Sequence, residues 1–138
     1  MNARLKFSDS LNLIRSFKTS GTITPSSKVL IKTLLAPIDF TSARCIIELG
    51  PGTGCVTRSI LERMHADCVL ICFEVNSDFV GQLEALQDPR LRVVNACASS
   101  IRTILDDLVI EEVDHIISSL PLALIDNEVV KRILESAR

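Results

Sequence analysis

Between Ile46 and Thr57 the sequence reads IIELGPGTGCVT: an apolar run, an acid, then glycines at every second position. Branched apolar residues ahead of the turn read as a buried strand, and the residues after it read as the helix that the turn opens. Glycine at Gly50, Gly52 and Gly54 lets the backbone take positive φ and approach a ligand closely. A glycine turn from a buried strand into a helix is where an α/β sheet holds a cofactor. This stretch therefore reads as a cofactor site of an α/β sheet.

The same turn narrows the ligand. A dinucleotide fingerprint, GxGxxG, needs glycine at position 55 counted from Gly50, or at 57 counted from Gly52, and those positions hold Cys55 and Thr57. No GK[ST] follows, so the phosphate-cradling loop of nucleotide hydrolases is absent as well. What stands here is ExGxGxG, with Glu48 ahead of the glycines. It suits a ligand with a cationic amino-acid end, because Glu48 can either orient the turn or meet an ammonium group. The next apolar run ends in CFEVN, which places Glu74 at a strand end about 20 residues on, where a carboxylate accepts from both ribose hydroxyls.

The rest of the chain repeats the alternation. Apolar runs at Cys45–Leu49, Cys68–Phe73, Leu91–Asn95 and Val113–Ser118 alternate with helical stretches at Val56–His65, Ser77–Gln87 and Ser99–Val109, and Asn127–Ala137 closes the chain. Such alternation predicts βα units on a parallel sheet covered on both faces. Right-handed crossovers then give the strand order 3-2-1-4. Ahead of the sheet, Ser26 or Ser27 is expected to cap a helix that runs to about Leu35 and is stopped by Pro37.

Charge is unevenly spread. Residues 1–32 hold six basic residues against Asp9 alone, a net +5, whereas the remainder holds nine basic and sixteen acidic residues, a net −7. Over residues 3–18, Phe7, Leu11, Ile14 and Phe17 form one apolar stripe bordered by Arg4, Lys6, Arg15 and Lys18. That pattern fits a helix lying at an anionic lipid surface, and equally a solvated helix resting on the domain's own core. The expected division is therefore a helical segment over residues 1–38 and an α/β core over residues 39–138. Five cysteines without a CxxC pair, and two distant histidines, predict buried reduced thiols and no metal site. No apolar run reaches the ~20 residues of a membrane span, and no secretory leader is evident.

On these residues the sequence resembles the class I S-adenosylmethionine-dependent methyltransferases. It is most similar to bacterial phospholipid N-methyltransferases and their relatives, the ribosomal RNA adenine dimethyltransferases. The likeness rests on GTITPSS (21–27), IIELGPGTG (46–54), FEVN (73–76) and IISSLPLAL (116–124). The resemblance implies a Rossmann-like core and S-adenosyl-L-methionine as cofactor. Gly50, Gly52 and Gly54 would wrap its methionine part with Glu48 nearby, and Glu74 would hold the ribose. Cys97 and Ala98 would lie beside the adenine, and Thr24 and Ser26 would belong to the lead-in. Ser118, Ser119, Leu120 and Pro121 would line the transfer site, where hydroxyls and carbonyls accept from a neutral amine and Pro121 adds no competing donor.

The implied reaction is N-methylation of a phospholipid headgroup amine such as phosphatidylethanolamine, by a cytoplasmic protein working on the inner face of the membrane. RNA adenine methylation is the alternative, and a non-catalytic cofactor-binding remnant is a third. Leu122 stands where the RNA enzymes place an aromatic, the chain has no Tyr or Trp, and its main body is acidic. These features disfavour RNA, and nothing suggests DNA. Two departures from the pattern matter. Cys97 replaces the usual acid beside the adenine, a loss of ~1 kcal/mol for one net hydrogen bond. The family also normally continues through three more strands. The expectation is thus a core lacking its last three strands, whose fourth strand becomes an edge that invites self-association and weakens methyl transfer.

Overall fold

A computed structural model of the chain describes residues 25–118. The expectations about the stripe at residues 3–18, Thr24, Ser119, Leu120, Pro121 and the closing helix fall outside that range. So does whatever follows β4, on which the edge-strand expectation depends.

The element order is α1 (Pro25–Leu35), β1 (Cys45–Leu49), α2 (Cys55–Arg63), β2 (Val69–Phe73), α3 (Ser77–Glu84), β3 (Leu91–Val94), a 3-10 turn (Ala98–Ser100), α4 (Ile101–Asp107) and β4 (His115–Ser118). The four strands form one sheet in the order β3-β2-β1-β4, and every pairing is parallel. This is the order expected from right-handed crossovers. β1 is buried along its whole length, which explains why its sequence is apolar on both faces, with Glu48 the one exception, rather than alternating.

Alternate residues of the central strands feed two cores. On one face, Ile46, Leu70, Cys72 and Ile117 pack with Ile31 and Leu35 of α1 and with Val56, Ile60 and Leu61 of α2. On the other, Ile47, Leu49, Ile71 and Phe73 pack with Ala98, Ile101 and Val113. α1 therefore shares a core with the sheet. Two polar ties fix the frame. The Arg90 guanidinium donates to the carbonyls of Leu61 (2.9 Å) and Met64 (3.0 Å) and to Asp88 (2.7 Å), closing the C-terminal end of α2. Asp114 accepts from the backbone N–H groups of Arg44 (2.7 Å) and Cys45 (2.9 Å), holding the start of β1 against the approach to β4.

Several ends differ from expectation. α1 begins at Pro25, so Ser26 and Ser27 lie inside its first turn; proline is favoured there because its missing N–H would be unpaired anyway. α3 begins at Ser77 as expected, but its cap is Asn76, whose Oδ1 accepts from Asp78 N–H (2.9 Å) and Phe79 N–H (3.3 Å). α4 ends at Asp107 rather than Val109. Val109 takes φ 57°, and the N–H groups of Val109 and Ile110 return to Asp106 (3.1 Å) and Leu105 (2.9 Å). That is the glycine-type helix ending made here with valine. Cys68 and Val113 are buried but precede the ladders of β2 and β4, because burial extends beyond hydrogen-bonded pairing.

Candidate functional site

The carboxyl end of β1 runs directly into the glycine turn. Gly50, Gly52 and Gly54 take φ of 65°, 58° and 87°, a region closed to most side chains. The turn is held at both ends: Gly50 N–H donates to Phe73 C=O (2.9 Å), and Gly54 N–H donates to Pro51 C=O (3.0 Å). The glycines are needed for different reasons. A Cβ on Gly54 would come within 2.9 Å of Leu83 Cδ2, whereas a Cβ on Gly52 would meet nothing within 4 Å. Gly54 is thus fitted to α3, and Gly52 borders open space above the sheet.

Glu74 stands at the end of β2, only 7% exposed. Its two oxygens each take one backbone donor: Gly52 N–H to Oε1 (2.9 Å) and Asn76 N–H to Oε2 (3.1 Å). An ionised carboxylate has about four acceptor positions, so this one can bridge to the glycine turn and still receive a diol. Beside it Val75 is 69% exposed, an apolar ledge that the sequence reading missed. Asn95 was missed as well. Its Nδ2 donates to the carbonyls of Glu74 (2.9 Å) and Val75 (3.2 Å).

Glu48 lies elsewhere. It is fully buried, facing the α1–α2 layer beneath the turn. Its Oε1 accepts from the Thr57 hydroxyl of α2 and faces the Cys72 thiol at 3.6 Å. Its Oε2 has no partner among the described residues. Burial pushes its carboxyl up to about 7 against the hydrogen bonds from Thr57 and Cys72, and the nearby Glu74 charge raises it further. Of the two roles open to Glu48, these contacts fit the orienting one, since they tie the end of β1 to α2.

Ser118, Cys97 and Ala98 all follow or end strands, at the carboxyl end of the sheet. Ser118 is buried at the end of β4, in register with Leu49, one residue before the glycine turn. Cys97 caps the 3-10 turn after β3, and Ala98 opens it as a buried residue. Ser26 lies in the first turn of α1. Among the described residues no cluster of three or more His, Cys, Asp or Glu could hold a metal, and the cysteines are free. No described helix is long and apolar enough to cross a membrane.

The O-methyltransferase TomG of Streptomyces achromogenes, solved in complex with SAM, superposes with a TM-score of 0.61 at 19% identity, over 98% of this chain and 63% of that one. A putative methyltransferase from Thermobifida fusca YX superposes with a TM-score of 0.60 at 19% identity, over 80% of this chain and 46% of that one. The fold is that of the class I methyltransferases. No family model matches the chain. A curated relative, the ornithine lipid N-methyltransferase of Singulisphaera acidiphila, is 35% identical over 104 residues, 74% of this chain. The chain spans about half (54%) of that relative's length. The methyltransferase fold thus places its glycine turn, Glu74 and Ser118 at the carboxyl ends of the strands, where such sheets hold ligands.

Proposed function

We propose that this chain is an S-adenosylmethionine-dependent N-methyltransferase acting on the amine of a lipid headgroup. The observation that carries the reading is the pairing of Gly52 with Glu74: an open cradle at φ 58° whose N–H is held by the acid at the end of the next strand. The 35% identity to an ornithine lipid N-methyltransferase supports the lipid amine, and an ornithine-bearing headgroup over phosphatidylethanolamine.

The residues present fit the cofactor. A Cβ on Gly52 would meet nothing within 4 Å, so the open side of this glycine would be free to receive the amino-acid end. Glu74 keeps acceptor capacity for ribose hydroxyls after serving two backbone donors. Val75 offers an apolar surface to a flat base, while Cys97 offers its amino group a weaker acceptor than an acid would. The cofactor supplies an electrophilic methyl group on a sulfonium. The protein's own task is to hold a neutral amine in line with that methyl at roughly 3–3.5 Å. Ser118, in register with Leu49 just ahead of the glycine turn, would orient the amine together with Ser119, Leu120 and Pro121. The stripe at residues 3–18 would bring the headgroup to the site by entering an anionic interface, each flanking cation adding ~1 kcal/mol near the surface.

The test pairs two measurements on the full chain. Calorimetry should show S-adenosylmethionine binding and no NAD binding. Labelled methyl transfer should then be found with vesicles containing ornithine lipid, and less with phosphatidylethanolamine or RNA. Transfer to RNA alone would overturn the lipid reading, and binding without any transfer would make the chain a cofactor-binding subunit. Flotation with anionic vesicles that is indifferent to Phe7→Glu would remove the N-terminal stripe from the account.

A further inference from the structure

Asn95 follows the last residue of β3 and belongs to no regular element. Its exposed position would ordinarily mark a solvated loop residue. Yet its amide faces two carbonyls of one short segment, those of Glu74 and Val75. Only the NH2 half of an amide can donate twice, so the two acceptors dictate which way the side chain is turned. The same segment is fastened to β3 through its backbone, where Glu74 N–H donates to Val94 C=O (3.0 Å). On its other side the Glu74 carboxylate reaches across to Gly52 N–H (2.9 Å). Hydrogen bonds therefore run from the β3 loop through the end of β2 to the glycine turn after β1.

We propose that Asn95 is a positioning residue for the nucleoside end of the cofactor site, holding the Glu74–Val75 turn so that the carboxylate bridges to Gly52 and the Val75 side chain stands out as a ledge. This role rests on the cofactor reading given above. The physical reason is economy of freedom. The Glu74–Val75 segment lies beyond the β2 ladder, and a carboxylate on a segment free to turn would exchange its Gly52 contact for water. Two donors from a neighbouring loop remove that alternative before the ligand arrives, so binding does not have to order the turn.

Three readouts on the full chain test it. Asn95→Asp is nearly isosteric, removes both donors and sets a carboxylate against two carbonyls. Asn95→Ala removes the donors without adding charge, and is run beside it so that a folding failure of one variant leaves the other. In the ligand-free protein, hydrogen exchange at the Gly52 and Asn76 amides should quicken about tenfold, while the amides of Leu70 and Ile71 keep their rates. Affinity for S-adenosylmethionine by calorimetry should fall about tenfold or more. The thermal midpoint without ligand should stay near that of the wild type, which a merely structural role would not allow. Unchanged exchange at Gly52, or unchanged affinity in a wild type that binds, would overturn the positioning role alone. A wild type that binds no S-adenosylmethionine would overturn the cofactor reading, and this role with it.

Discussion

Glu48 and Glu74 are the same residue type at the ends of adjacent parallel strands, and the fold uses them in opposite ways. Glu48 is the fourth residue of β1, in register with Cys72, and its side chain turns into the apolar layer under α2. Glu74 is one residue past the end of β2 and meets backbone N–H groups instead. One has a buried oxygen without a partner among the described residues; the other has a donor on each oxygen. A strand's side chains alternate between faces, so placement within the strand sends one acid into a core. Placement one step beyond the strand leaves the other at the rim. A carboxyl in the core serves the frame, and a carboxyl at the rim can serve a ligand.

The comparison breaks most sharply at Glu74. Glu74→Ala removes an ionised acceptor from Gly52 N–H and Asn76 N–H and from any diol. Hydrogen bonds to a charged group contribute about 1.5–3 kcal/mol each, so S-adenosylmethionine affinity should fall about 100-fold or more. Glu48→Gln should leave affinity within a few-fold, because its side chain has no surface. Calorimetry on both variants decides. Equal losses would mean that the buried acid reaches the ligand after all.

The second prediction concerns pH. The Glu48 carboxyl titrates near 7 in the folded protein against an ordinary value of 4.5. Between those values the unfolded chain gives up the proton that the folded one keeps. Stability from this group is therefore full below about pH 4.5, falls as pH rises through 7, and is lost above it. A shift of that size corresponds to about 3 kcal/mol. The side-chain hydrogen bonds that Asp39 and Asp88 accept hold both below the usual carboxylate range; they act in the opposite sense at acid pH, so the wild type alone gives a mixed profile. The difference between wild type and Glu48→Gln isolates the buried group. Urea midpoints should lie closest at pH 4, and the variant should be the more stable at pH 8.5. A constant difference across that range would show that Glu48 is not held protonated.

How far the sequence carries this contrast can be judged residue by residue. The bounds of β1 and the order of the strands were legible because a strand buried on two faces is apolar at successive positions instead of alternating, and because handedness leaves one simple order. The glycine spacing and Glu74 were legible because both sit where a strand ends. The fate of Glu48 was not: an acid inside an apolar run reads equally as a buried anchor or a ligand group, and only packing against Thr57 and Cys72 separates them. Asn95 and Val75 carry no periodicity and no motif, so their contacts appear only when the strand ends are brought side by side. The end of α4 was misjudged because Val109 continues the apolar pattern while its backbone has already left the helix. Asn76 and Ser77 are both capping types, and the choice between them is made by where the first turn's N–H groups point.

The smallest expected effects separate two glycines of the turn that joins the two acids. Both Gly52 and Gly54 have positive φ, which costs a side-chain-bearing residue about 1–2 kcal/mol. Beyond that shared cost they diverge. Gly54→Ala must also displace Leu83, which is buried, from a 2.9 Å approach, and overpacking of that kind adds about 1–3 kcal/mol. Gly52→Ala meets no atom within 4 Å, so its stability loss should stay near the backbone cost alone. Its new methyl would instead stand in the space assigned to the cofactor. Chemical unfolding should therefore rank Gly54→Ala as the less stable variant, and calorimetry should rank Gly52→Ala as the weaker binder of S-adenosylmethionine. If the two rankings agree, with Gly54→Ala worse in both, the open side of Gly52 does not face the ligand, and the bridge from Glu74 to its N–H is a structural tie like the one Glu48 makes.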